Sequence, residues 1–398
     1  MTKNVLLANE FGIGRGHIVQ LLQTALALGP GFTFEAALYN RSFAAELAPL
    51  GALVYDGPGY VYDASRRTGP KSATTATWGE FLGDLGFSQR DRVRDIVMWW
   101  HNVLGQRRID LLVADYAPLA LLAARARGIP TIAVGQGYGL PPDHLSQFPP
   151  LHAGPLSRLH DEEALLDNVN AAASGIGLAP LAGLPQVYQS TLPMVRTLPF
   201  LDAYQGHRRF PYVLPKIPTT NTIAANGDEV FIYFSTQELN DPQVVDALAS
   251  LPLPRRAFLP TASPETAARL AASGIIVETQ PVPADLIAAR SRLMVHSGQH
   301  GTLCLGLFAG LPQVAFPQHM EQSHHADAVA AQGTARVIGR ASRSRDHITD
   351  TIQSLWSDAE MARKAQDLAR SLRQTYVIDA DEAARTWLKP LRDTVMFT

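Results

Sequence analysis

The sequence predicts an α/β protein built from two doubly wound parallel sheets. Three observations carry that prediction. The chain has 398 residues, more than one hydrophobic core usually supports, so two domains of roughly 200 residues are expected. Short runs rich in Val, Ile and Leu alternate with longer Ala-, Leu- and Arg-rich segments, the pattern of parallel strands joined by helices. Near the middle, LPFLDAYQGHRRFPYVLPKIPTTN (198–221) is rich in Pro and aromatics and lacks either periodicity, so it reads as a linker between domains.

Each strand follows in order. In the first half they are NVLLANE (4–10), TFEAALYN (33–40), ALVYD (52–56), LLVAD (111–115) and TIAVGQ (131–136). In the second half they are VFIYFST (230–236), RAFLP (256–260), IIVET (275–279), LMVHS (293–297) and QVAFP (313–317), with apolar helices such as GTLCLGLFAG between them. The expected domains are 1–215, with the linker, and 219–375. The stretch 376–398 has helical character, broken by Pro390, and is expected to pack back on the first domain. Open parallel sheets bind ligands beyond the carboxyl ends of their strands, so the expected site is a cleft across which the two domains face each other.

Composition excludes several classes. With 34 Lys plus Arg against 36 Asp plus Glu, the formal net charge is −2 and gives no electrostatic reason to bind nucleic acid. The hydrophobic fraction of 46% rules out wholesale disorder. One cysteine, Cys304, cannot form an intramolecular disulfide, and the N-terminus has no signal-like apolar stretch. No run of about 20 apolar residues is present. The expected location is the cytoplasm, with peripheral attachment to the inner face of a membrane left open.

Chemistry concentrates in two places. The strand LMVHS runs into GQHGT and then an apolar helix, where Gly298 and Gly301 let backbone N–H groups approach a ligand at a helix N-terminus, an anion site. Past the next strand, QVAFPQHMEQSHHADAV places Glu321 and Gln322 in a loop ahead of a helix, an acid and amide pair suited to vicinal sugar hydroxyls. The whole segment VHSGQHGTLCLGLFAGLPQVAFPQHMEQSHHADAVAAQG resembles the donor-binding signature of family 1 glycosyltransferases, the UDP-glycosyltransferase-like enzymes of the GT-B fold. That resemblance implies that His296, Thr302 and the Gly301 backbone contact a diphosphate, and that Glu321 and Gln322 hold the transferred sugar. It places His325 where the family usually has Asn, and Val282 where the backbone contacts the base. His300 replaces a small residue and is expected to crowd or recharge the phosphate site. Five of the twelve histidines fall in this region, but their spacing forms no compact zinc pattern and no Cys partner is adjacent, so no metal is expected.

Near the N-terminus, EFGIGRGHIVQLLQTALAL reads as a glycine-rich turn followed by an amphipathic helix. The dinucleotide fingerprint G-x-G-x-x-G is absent, which weakens a nicotinamide oxidoreductase. The glycosyltransferases that the chain resembles carry a Gly-His here whose His is the general base, and LLVADYAPL supplies Asp115 as its partner. A neutral imidazole at His17 would take the proton of an attacking hydroxyl, with Asp115 orienting it and stabilising the imidazolium. The leaving diphosphate would meet the preorganised dipole at 298–302.

Segments 57–100 and 136–192 are expected to line the acceptor pocket. GPGYVYDASRRTGPKSATTATWGEFLGD suits a mobile loop. Gly16, Tyr138, His144 and Phe148 are candidate acceptor contacts. QRDRVRDIVMWWHNVLGQRR reads either as a helix packed on the sheet or as a membrane-touching face.

The resemblance thus implies an inverting, metal-independent glycosyltransferase with no resident cofactor, using a UDP-sugar first and a dTDP-sugar second. Its partner would be a small-molecule or lipid hydroxyl acceptor, and it would act as a monomer or homodimer. A sugar-nucleotide epimerase of the same architecture and a catalytically silent nucleotide-sugar binder are the rivals.

Overall fold

The computed structural model describes residues 2–12, 14–70, 74–151, 158–215, 222–224, 227–376 and 379–397. The chain forms two compact units, one comprising Met1–Pro215 with Ala380–Thr398, the other Lys216–Asp379.

In the first unit the elements run β1 (Lys3–Asn9), α1 (Arg15–Leu28), β2 (Phe32–Leu38), β3 (Leu53–Asp56), α2 (Trp78–Leu82), α3 (Arg90–Gln106), β4 (Leu111–Asp115), α4 (Pro118–Ala126), β5 (Thr131–Gly135), α5 (Glu162–Gly175) and β6 (Leu192–Val195). The strands form one parallel sheet in the order β3-β2-β1-β4-β5-β6. The strand order reverses between β1 and β4, and there Asn9 is the register partner of Asp115.

In the second unit they run β7 (Glu229–Tyr233), α6 (Pro242–Ser250), β8 (Arg255–Phe258), α7 (Pro264–Ala272), β9 (Ile276–Glu278), α8 (Ala284–Arg290), β10 (Ser291–His296), α9 (His300–Ala309), β11 (Gln313–Ala315), α10 (Met320–Ala331), β12 (Ala335–Val337), α11 (Arg345–Ser357) and α12 (Ala359–Thr375). This sheet is also parallel, in the order β12-β11-β10-β7-β8-β9, and reverses between β7 and β10.

The central strands explain themselves. LLVAD of β4 and TIAVG of β5 are buried at every position, which requires apolar side chains on both faces. The predicted strands lie on observed ones with shifted ends. Two strands were absent from the sequence reading, β6 (LPMV) and β12 (ARV), and both are edge strands. An edge tolerates Pro193 because one side of the strand needs no ladder N–H, and it needs no continuous apolar run.

Residues 198–215 are not a loose linker. Leu198, Leu201 and Tyr204 are fully buried, Arg208 Nε donates to Asp202 Oδ2 at 2.6 Å, and Val213 bridges to Arg196. Of the aromatics of this stretch Tyr204 is a core residue of the first unit while Phe210 is exposed, and the remaining predicted linker positions, 216–221, lie outside the described residues. In the segment 57–84, Arg67 and Asp84 are likewise turned inward. Arg67, Asp84 and His160 form a buried cluster, with His160 Nε2 and Asp84 Oδ1 2.9 Å apart and Arg67 Nη2 2.7 Å from Asp84 Oδ2.

The last helix, α13 (Ala380–Phe397), runs through Pro390 without breaking. Proline there removes one helical hydrogen bond and strains the preceding turn. Leu388 and Leu391 on either side, with Val395 beyond, are buried in the core of the first unit beside Leu21 and Leu28 of α1, and that packing holds the helix continuous. Among the described residues no helix is long and apolar enough to cross a membrane.

Candidate active site

In the first unit the site starts at the end of β1. Glu10, Phe11 and Gly12 turn the chain away from the sheet, and Gly12 has φ +117°, where only glycine sits without strain. A Cβ at Gly12 would also lie 2.9 Å from His17 Cδ2 and 3.0 Å from Tyr116 Cδ2. The turn therefore has the room that the imidazole needs.

His17 lies in the first turn of α1 and its Nδ1 is 2.9 Å from Asp115 Oδ1. Asp115 Oδ2 accepts from Gln20 Nε2 at 2.8 Å, and Asn9 Nδ2 donates to the Asp115 backbone carbonyl at 3.1 Å. The Asp115 side chain is 1% exposed and the His17 ring 21%. A buried carboxylate accepting from Nδ1–H fixes the tautomer, so Nε2 is the basic nitrogen. Gln20 was not anticipated, although its place one helical turn after His17 puts it on the same face.

Around the ring stands a group of aromatics that the sequence reading also missed. Phe11 stacks on Tyr116 at 4.5 Å between centroids, and Trp78 lies 5.8 Å from Tyr116 and 5.0 Å from Phe81. The Tyr116 ring is 4.7 Å from that of His17. Tyr116 follows Asp115 directly and holds φ +48°, so the chain leaves β4 through a left-handed residue. Gly139 makes the matching gap, because a Cβ there would fall inside the Tyr116 ring. Glu10, fully buried, accepts from the N–H groups of Ala120 (2.6 Å) and Leu119 (3.3 Å) at the start of α4. Burial pushes its carboxyl up to about 8 against the pull of those N–H groups.

Of the predicted acceptor contacts, Tyr138 joins this group edge-on to Trp78 at 5.8 Å. Gly16 lies exposed in the first turn of α1. Phe148 sits against Tyr188, whose hydroxyl accepts from Trp78 Nε1 at 2.6 Å. His144 takes no part in the ring group among the described residues; it lies by Asp143, and burial holds its pKa down.

In the second unit the turn after β10 is built differently. His296 is fully buried, its Nε2 2.9 Å from Gln313 Oε1 and its Nδ1 accepting from the Gly298 N–H at 2.9 Å. Both ring nitrogens are committed to the protein, so the expected side-chain contact with a diphosphate gives way to a role in shaping the turn. Gly298 has φ +89°, and a Cβ there would meet the Gln322 carbonyl at 3.0 Å. Gln299 precedes α9 but its side chain caps nothing, reaching Ser235 and Ser297 instead. The first N–H groups of α9 at His300, exposed Gly301 and half-exposed Thr302 are therefore without a side-chain cap, as an anion site requires.

The expectation that His300 recharges this site is corrected. Its ring is buried beside Cys304 Sγ (3.9 Å) and His325 (5.1 Å between centroids), and burial pushes His296 and His300 each down to about 4. His325 is also fully buried and held well below the ordinary histidine range, so it offers no exposed ligand contact. Glu321 is half-exposed in the first turn of α10. Gln322 points inward instead, its Oε1 accepting from the Gln318 N–H at 2.7 Å because it ties the loop to the helix. Val282 is half-buried ahead of α8, packed with Ala284 and Ile287. Among the described residues no group of three or more His, Cys, Asp or Glu could hold a metal ion.

Comparison with solved structures identifies the architecture. The glycotransferase of kitacinnamycin matches over 100% of both chains, with a TM-score of 0.67 and 18% identity. The fold is GT-B. The calicheamicin glycosyltransferase CalG4 matches over 98% of each chain at TM-score 0.67 and 17% identity. The spinosyn rhamnosyltransferase SpnG matches in its complex with spinosyn aglycone (96% of this chain, 99% of that one, TM-score 0.66, 17% identity) and in its complex with thymidine diphosphate (94%, 96%, 0.64, 17%). No protein-family model and no curated sequence matches the chain.

Proposed function

We propose that the protein is an inverting glycosyltransferase that moves a sugar from a nucleoside diphosphate to a hydroxyl acceptor. The observation that carries this reading is the His17–Asp115 pair, 2.9 Å apart at the point where the first sheet reverses its strand order. His17 Nε2 takes the proton of the acceptor hydroxyl as its oxygen attacks the anomeric carbon; the bond to the diphosphate breaks on the opposite face, so the configuration inverts. Asp115, held by Gln20 and Asn9, stabilises the imidazolium. The negative charge that leaves with the diphosphate is met by the uncapped N–H groups of α9. Glu321 accepts from hydroxyls of the transferred sugar.

The rings of Phe11, Trp78, Phe81 and Tyr116 beside His17 favour a flat, apolar aglycone, since such rings bind by offset and edge contacts. The match to a structure solved with thymidine diphosphate supports testing thymidine beside uridine donors. The deciding experiment incubates the protein with UDP-glucose or dTDP-glucose and a panel of phenolic and polyketide aglycones, with product read by mass spectrometry. The expected result is one transferred hexose per acceptor, abolished by His17→Ala and unaffected by EDTA. Donor conversion without acceptor would point to the epimerase instead, and donor binding with no turnover to a silent binder.

A further inference from the structure

The loops that follow β7, β11 and β12 line an open pocket of about 240 Å³ with the side chains of Gln237, Asn240, Asp241, Gln318, Arg340 and Arg343. That volume is below the roughly 300–1,000 Å³ of sites for drug-sized ligands, and suits a single sugar ring or a smaller anion. Two guanidinium groups dominate it.

Both are fixed by the loop that leads to Glu321. Arg340 Nη2 donates to Gln318 Oε1 at 3.0 Å, and Arg343 Nη2 donates to the Pro317 carbonyl at 2.9 Å with its guanidinium 5.6 Å over the Phe316 ring. Gln318 in turn gives its backbone N–H to Gln322, next to Glu321. Arg343 Nε is buried with no acceptor among the described residues. The one lining acid, Asp241, already accepts from the Gln243 N–H through Oδ1 as the N-cap of α6. Two guanidinium groups on one pocket wall suit a planar two-oxygen anion.

We infer that Arg340 and Arg343 form a subsite for a carboxylate carried on the transferred sugar, so that the donor is a nucleoside diphosphate linked to a uronic acid. This rests on the glycosyltransferase reading and narrows it to one class of donor. A sugar whose hydroxyls are held at Glu321 is presented to the loop that anchors both arginines. A neutral hexose offers the two guanidinium groups no charge to pair with.

The test measures binding to the full chain by calorimetry for UDP, UDP-glucose, UDP-glucuronate and their thymidine counterparts, with free glucuronate and inorganic phosphate as further arms. Arg340→Gln, at an exposed position, and Arg343→Lys, which keeps the charge but loses the planar fork, are measured alongside, with unchanged melting confirming that both fold. The expected result is that the uronate donor binds at least tenfold more tightly than the glucose donor with the same base. Both variants should lose that preference while binding the free nucleoside diphosphate as before. Equal affinity for the two sugars, or a preference that survives both variants, overturns the inference and leaves the transferase reading standing. Tight binding of free phosphate without any preference among donors also overturns it, marking a general anion pocket. If no nucleoside diphosphate binds at all, the donor site itself is misread and both readings fall.

Discussion

In the first unit the turn after the switch-point strand projects an imidazole; in the second it buries one. His17 is partly exposed over a buried carboxylate, with Gly12 leaving room for its ring and Gln20 holding the Asp115 that fixes its tautomer. His296 has no exposure and spends both nitrogens on Gln313 and Gly298, so that the groups left facing outward are backbone N–H groups of α9. On the proposed function, one βα turn would deliver side-chain chemistry and the other backbone electrostatics. The difference shows why a histidine beside glycines cannot be assigned a role from its neighbours alone.

The largest expected effect separates these two uses directly. His17→Ala should lower kcat about a thousandfold, within the range for loss of a general base, and leave donor affinity unchanged in calorimetry. A parallel loss of donor affinity would show that the two turns do not divide the work.

The buried acids and bases give the second test, because the two units respond to pH in opposite directions. Unfolded, His296 and His300 take up protons near pH 6.5, but folded they do so only near 4. Between those values the unfolded chain binds more protons, so the second unit should lose stability, on the order of a few kcal/mol, as pH falls from 6.5 toward 4. Glu10 titrates near 8 when folded against 4.5 unfolded, so its contribution to the first unit weakens as pH rises across that window. Trp356 lies in the second unit and the other four tryptophans in the first. Fluorescence melts of the native chain and of Trp356→Phe at pH 5 and pH 8 therefore report the units separately, and parallel shifts in both would break the contrast.

Smaller effects sharpen it. Gly298→Ala forces a side chain into φ +89° and against the Gln322 carbonyl, and should cost about 1–3 kcal/mol, read as a lower melting temperature and weaker donor binding. Gln20→Ala removes one hydrogen bond from Asp115 and should cost about 1 kcal/mol, roughly a fivefold fall in kcat with KM unchanged.

Much of this was legible in the sequence where a local pattern and a local structure coincide. The predicted strands fall on observed ones, most plainly at β4 and β5, whose apolar runs are buried at every position, whereas His17 and Asp115 were paired through the resemblance to glycosyltransferases that carry a Gly-His turn with a partner Asp. What was not legible depends on long-range packing. The edge strand β6 is interrupted by Pro193 and β12 is three residues with exposed Arg336 at its centre, so neither stands out, and the ring group of Phe11, Trp78, Phe81 and Tyr116 is assembled from three segments far apart in the chain. The inward turn of Gln322 and His325 is also invisible in sequence, because α10 shows no strong separation of apolar and polar faces to say which residues are buried.

The return of α13 to the first unit also bears on how the protein is made. The α1 helix packs against a segment that leaves the ribosome only after the whole of the second unit. The first unit must wait, with the apolar face of α1 uncovered, while some 160 residues are synthesised and folded, although domains generally complete in the order of their synthesis. A nascent chain that stalls before residue 380 would thus present a finished second unit and an unfinished first one, and it is this half-built species that chaperones would meet.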